Sequence, residues 1–133
     1  MLSGTIGDGG AGAGHVFMKI IVKNSSDKPC TIDGYPGVSL VGNGNGTQLG
    51  AAADRDQNKP SKGPVLLAAG QSATADLQYS QASNYQSGCS QSQADGLRVY
   101  PPSATDALYI AQPLTACTEN AVVLLQIGAF MAV

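Results

Sequence analysis

A chain of 133 residues with a net charge of −2 is long enough for one domain with one modest core. Charged residues make up only 12 %, the seven basic side chains are scattered, and a single glutamate (Glu119) stands among 17 glycines. The lack of a concentrated positive face excludes a nucleic-acid binder. The shortage of helix formers beside so many turn formers excludes a helical protein and favours an all-β one.

In chain order, residues 1–14 read as a flexible Gly/Ala-rich lead. Met1-Leu-Ser-Gly-Thr-Ile has neither a charged region nor an apolar run, so it reads as a start within a longer chain whose export signal was removed. The domain proper is placed at 15–133. Residues 15–23 alternate as a strand, with Val16, Met18, Ile20 and Val22 on one face and Phe17, Lys19, Ile21 and Lys23 on the other. Residues 24–27 (Asn-Ser-Ser-Asp) form a turn, because such side chains bond their own backbone. A corner over Asp33-Gly-Tyr-Pro-Gly37 feeds a strand at 38–41, and Asn-Gly pairs within 42–46 mark a hairpin.

The partner strand of that hairpin is expected over 47–52, and 53–63 is the most polar loop. A strand stub at 64–67 and a turn at 69–72 lead to 72–79, where Ala73, Ala75, Leu77 and Tyr79 share a face. Residues 80–94 read as a long Ser/Gln/Asn loop, and Ala94-Asp-Gly96 as a tight turn feeding the next strand. Strands at 97–100, 108–111 and 122–128 complete the set. About seven to eight short strands with turns between them predict an antiparallel β-sandwich of immunoglobulin-like type. The apolar run 121–133 is too short to span a bilayer and reads as a buried terminal strand.

Three cysteines in a short, turn-rich chain point to an oxidising compartment. Their spacing is not that of a zinc site, and no cofactor is expected. The odd number leaves three arrangements: one free thiol, a partner cysteine beyond these residues, or two linked chains.

The stretches GHVFMKIIVKNSSDKPCTIDGYPGVSL, QLGAAA, VLLAAGQSATADLQY, NYQSGC, ADGLRVYPP and LTAC follow one another in the order of a known family. The chain resembles the DUF4232 family, a domain of unknown function widespread in actinobacterial secreted proteins and lipoproteins, over roughly residues 12–128. The family's hallmarks are a strand ending in Asn-Thr/Ser, a Pro-Cys, a Gly-Tyr-Pro-Gly-Val turn and a Leu-x-Val-x-Pro-Pro strand. Its frequent fourth cysteine, at the start of the first strand, has no counterpart here. The resemblance implies an immunoglobulin-like sandwich in the envelope or secreted space, anchored if at all by a lipid outside these residues. It supplies no reaction and no catalytic residue.

Several candidate sites remain to be weighed. Cys89 and Cys117 are read as a structural disulfide tying the 80–94 loop to the segment before the last strand. A redox pair would need a basic neighbour to lower a thiol pKa, and neither cysteine has one in sequence. Cys30 is then unpaired or bonded outside these residues, and could link two otherwise monomeric chains. Tyr35, Pro36 and Gly37 could be a recognition loop, although a rigid corner explains the same residues. His15, the only histidine, sits at a strand start, a poor place for a preorganised base. Asp54-x-Asp56-x-Asn58 has calcium-loop spacing, but Lys59 replaces the required glycine and Val65 the required glutamate. No metal site is expected. Asn24-Ser-Ser and Asn45-Gly-Thr match glycosylation sequons.

The expected function is a non-enzymatic, extracytoplasmic interaction module that binds a protein or cell-wall component through loops 53–63 and 80–94. The alternative is a small-ligand carrier with a pocket between the sheets or at their end.

Overall fold

A computed structural model describes residues 2–12, 15–82, 88–102, 107–119 and 122–133. Its described residues are all β, with two antiparallel sheets packed face to face. The strands are β1 (Leu2–Gly12), β2 (His15–Asn24), β3 (Cys30–Ile32), β4 (Gly37–Gly42), β5 (Thr47–Gln48) and β6 (Asp54–Arg55). They continue with β7 (Val65–Leu67), β8 (Ser72–Ser80), β9 (Gln91–Tyr100), β10 (Leu108–Cys117), β11 (Leu125–Ile127) and β12 (Met131–Ala132). The first sheet runs β1-β2-β8-β11-β6, with β12 also pairing β8; the second runs β10-β9-β4-β5. A separate ribbon, β3-β7, lies beside them, and only the β11–β6 pair is parallel.

The alternation seen in β2 and β8 builds the inner face of the first sheet. Met18, Ile20 and Val22 are buried there beside Ala73, Ala75, Leu77 and Tyr79. Val38, Leu40, Leu97, Val99 and Ile110 come from the second sheet, and Phe130 joins the same cluster. Each fully buried aliphatic or aromatic side chain contributes roughly 1.5–3 kcal/mol, so this cluster is the main source of stability.

Two expectations are corrected. The lead is not flexible through residue 12: Leu2–Gly12 is a strand paired along β2, with Leu2, Gly4 and Ile6 opposite Asn24, Val22 and Ile20. Its glycines hide a usable alternation, and Gly4 serves the packing. A Cβ there would lie 3.1 Å from Ile110 Cδ1, so glycine lets β1 close against β10 of the opposite sheet. Leu2–Gly12 is therefore part of the sandwich and not a lead to it.

The strands also number twelve among the described residues, against the expected seven to eight. The excess is β1 and three short pieces: β3, at Pro29-Cys30, and β6 and β12, of two residues each. Conversely, β9 begins at Gln91, inside the expected 80–94 loop, and β10 reaches Cys117 past a register shift between Ala111 and Leu114. That irregularity brings the Ile110 carbonyl against Gly96, where any Cβ would collide with it. Ala94-Asp-Gly96, read as a turn, is therefore mid-strand.

The hairpin between β4 and β5 follows its sequence: Asn43 and Gly44 take φ of 63° and 67°, the positive values that such turns need. Asn24, fully buried at the end of β2, organises the turn after it. Its amide nitrogen donates to the carbonyls of Lys28 (2.7 Å) and Leu67 (3.0 Å). Its Oδ1 accepts from the Ser26 N–H (3.1 Å) and hydroxyl (2.7 Å). Every polar group of the side chain is thus partnered, which is what its burial requires.

Candidate functional site

The outward face of the first sheet carries the most varied chemistry. Cross-strand register sets Phe17 opposite Gln78 and Lys19 opposite Asp76, with Gln126 of β11 on the far side of Gln78. Residues 56–62 form a wall along this face. The wall is fixed by main-chain bonds to the last strands: Asp56 N–H to the Ile127 carbonyl (2.8 Å) and Ala129 N–H to the Lys59 carbonyl (3.0 Å). Gly128 makes room for it, since a Cβ at that position would lie 3.0 Å from Lys59 Cβ.

Between wall and sheet lie two adjoining hollows. One, of about 260 Å³, is lined by Phe17, Asp56, Gln78 and Gln126 together with Lys19, Lys59 and Asp76. The other, of about 380 Å³, shares Lys19, Lys59 and Asp76 and adds Lys62, Asn58 and Thr74. Lys59 Nζ lies 3.0 Å from the Asp76 carboxylate and Lys19 Nζ 3.8 Å from it, so one carboxylate is flanked by two ammonium groups.

The outward face of the second sheet carries its own hollow, of about 360 Å³, lined by Val41, Gly44, Gly46, Asp95 and Tyr109. Tyr100 and Tyr109 are exposed there, and Arg98 lies between them, its guanidinium 6.0 Å from the Tyr100 ring. Arg98 donates to the Gly46 carbonyl (3.0 Å) and to Gln48 Oε1 (3.3 Å), while its buried Nε–H has no partner among the described residues.

Of the residues singled out from sequence, Asp56 and Asn58 line the two hollows and the others fall elsewhere. Tyr35 is half-buried, its hydroxyl donating to the Asp56 carbonyl (3.0 Å) and the Arg55 guanidinium lying 5.2 Å from its ring. Pro36 is buried and Gly37, exposed, opens β4, so this corner buttresses the start of the 56–62 wall. Asp56 uses Oδ1 to cap the Asn58 N–H (3.0 Å), a turn bond of the calcium-like triplet. Among the described residues, no three His, Cys, Asp or Glu side chains converge to hold a metal.

Cys89 and Cys117 are bonded, with Cα atoms 4.9 Å apart. The bridge is flanked by a second clasp, because Glu119 accepts from both the hydroxyl (2.6 Å) and the N–H of Ser90. These bonds hold the Glu119 pKa below the ordinary glutamate value, the Ser90 hydroxyl contributing most. Cys30 is free and half-buried in β3, opposite Leu67. Part of the expected 80–94 recognition loop, residues 83–87, lies outside the described residues.

His15 is where sequence reading missed a contact. Its Nδ1 lies 3.0 Å from the Ser80 hydroxyl and 3.3 Å from the Gln78 amide nitrogen. The two residues are 65 positions apart, and only the β2–β8 register joins them. A nucleophile beside a base is half of a hydrolytic arrangement, but no carboxylate orients the ring among the hydrogen bonds of the described residues. The pair reads as a cross-strand polar contact.

Among the described residues, no helix is long and apolar enough to cross a membrane. The disulfide is compatible with an extracytoplasmic domain. No curated protein and no solved structure matches this chain. A family model does: it covers residues 1–130, nearly the whole sequence, and carries the description "Domain of unknown function (DUF4232)". The chain belongs to the DUF4232 family.

Proposed function

We propose that this chain is a non-enzymatic interaction module of an actinobacterial-type cell envelope, acting outside the membrane in a secreted or lipid-anchored parent. Its partner is a protein or a cell-wall glycan, bound through segment 53–63 and the sheet face beside it. The observation that carries this reading is the fixed wall over 56–62. A polar loop that is bonded by its own backbone to β11 and the segment after it presents its side chains with little ordering cost on binding. Immunoglobulin-like sandwiches commonly carry recognition on such segments while the sheets act as scaffold. Absence of catalysis is part of the proposal, and the unoriented His15–Ser80 pair supports it.

The test is chemical crosslinking of the exported full-length parent on living cells, followed by affinity recovery. A specific adduct that disappears when residues 56–62 are replaced by a Gly/Ser segment is the expected result. Recovery of no specific partner would count against the module.

A second reading rests on a separate observation. A hollow of about 360 Å³ opens where the sheets meet at one end, lined by Val16, Tyr79, Leu114 and Gln93. It suits a small-ligand carrier with its site at the sandwich end. The space between the sheets is less suited, because Ala73, Ala75, Ala94 and Ala116 are fully packed in the core. Saturable uptake of an apolar fluorophore, lost on substituting Leu114 by Gln, would favour the carrier.

A further inference from the structure

We propose that the paired hollows on the outer face of the first sheet bind an acidic oligosaccharide. A neutral sugar ring would occupy the Phe17 hollow and a carboxylate-bearing ring the lysine hollow. This rests on the interaction-module reading and narrows its partner to one class.

The chemistry of the first hollow is that of sugar recognition. A sugar ring offers an apolar C–H face and a rim of hydroxyls that both donate and accept. Phe17 supplies an aromatic surface for the first. Gln78, Gln126 and Asp56 supply an amide–carboxylate set for the second. The Gln78 nitrogen is engaged with His15, which leaves its Oε1 to accept a hydroxyl. Asp56 likewise keeps Oδ2 after Oδ1 caps Asn58.

Charge separates the two hollows. The first balances Lys19 and Lys59 against Asp56 and Asp76 and is neutral. The second sets Lys19, Lys59 and Lys62 against Asp76 alone, an excess of two positive charges in a chain of net charge −2. A carboxylate there would complement that excess, with Lys62 unengaged by any ion pair among the described residues. The shared Lys19–Asp76–Lys59 cluster stands between the two positions and fixes the order of the rings. β2 and β8 supply the floor, and the wall is held by main-chain bonds, so the site is preorganised.

The experiment is a titration of the ¹⁵N-labelled chain, followed by amide shifts, with three probes. Hyaluronan tetrasaccharide alternates neutral and carboxylated rings, chitotetraose has neutral rings only, and poly-glutamate has carboxylates without sugar. The expected result is saturable shifts with hyaluronan, confined to amides near 17–19, 56–62, 76–78 and 126–128, weakened by added salt. Phe17→Ala, and separately the pair Lys59→Gln with Lys62→Gln, should each weaken that binding about tenfold while leaving the remaining amide spectrum in place. Four results would overturn the proposal. These are no shifts with hyaluronan, shifts centred elsewhere, equal binding of chitotetraose, or equal binding of poly-glutamate. If the sugar fails while a crosslinked protein partner is still recovered from cells, the module reading stands and the glycan site falls.

Discussion

Lys59 and Asp76 meet across the outer face of the first sheet, with the ammonium 3.0 Å from the carboxylate. The contact joins the segment after β6 to the middle of β8. Both side chains are well exposed, at 44 % and 41 %, so water screens the pair. Asp76→Asn is expected to cost less than about 1 kcal/mol in a denaturant melt, in keeping with exposed ion pairs. The wall should stay in place, because its main-chain bonds to Ile127 and Ala129 do not involve that carboxylate. Unchanged hydrogen-exchange protection of the Asp56 and Ala129 amides checks this. Loss of protection would mean that the ion pair holds the loop.

Asn24 has the opposite character, being fully buried with both ends of its amide bonded. Asn24→Ala removes the Asn24 donor from the Leu67 carbonyl, leaves the Lys28 carbonyl to the Ser26 hydroxyl alone, and is expected to cost about 2–4 kcal/mol. Ser26→Ala, which removes one hydroxyl donor, should cost about 1 kcal/mol. Denaturant midpoints of the two variants test the ranking. The Asn24-Ser-Ser sequon is also closed in the folded chain, whereas Asn45 of the second sequon is exposed in its hairpin.

Two groups contribute to the pH dependence, with opposite signs. Burial raises the pKa of Tyr79, whose hydroxyl donates to the Thr115 carbonyl at 2.6 Å and ties the two sheets together. A raised folded pKa means that its contribution is whole below the ordinary tyrosine value of about 10 and is lost as pH rises through the folded value. Stability should therefore fall on the alkaline side, and Tyr79→Phe should flatten that fall. Glu119 acts on the other side: its lowered pKa gives a contribution present above about 4.3 and lost as pH falls through the folded value. Glu119→Gln should remove that acid-side dependence. Thermal melts of the three proteins from acid to alkaline pH check both signs.

The alternation in β2 and β8 was legible because apolar residues occupy every second position and that face is buried along β8 and most of β2. The 43–46 turn was legible because Asn-Gly is among the few pairs that tolerate positive φ. β1 was not, because glycine carries no pattern: the reason for Gly4 lies in Ile110, more than a hundred residues away. Gly96 misled in the same way, since a close approach by β10 and a turn require the same residue. The segment 53–63 was legible as a polar surface but not as a wall, because the bonds that fix it come from the last strands. The hollows beside it arise from three strands and a loop, a juxtaposition that no local spacing encodes.

One intrachain bridge closes the sandwich, and thiol counting tests both it and the proposed export. Bonding Cys89 to Cys117 across 28 residues should contribute about 3–4 kcal/mol on the chain-entropy estimate. Protein prepared without reductant would be alkylated in denaturant before and after reduction, weighed intact, and digested to locate the bridge. One label is expected before reduction, on Cys30, and three after it, with a Cys89–Cys117 linked peptide. Three labels before reduction would contradict the bridge and the oxidising compartment that the proposed function requires.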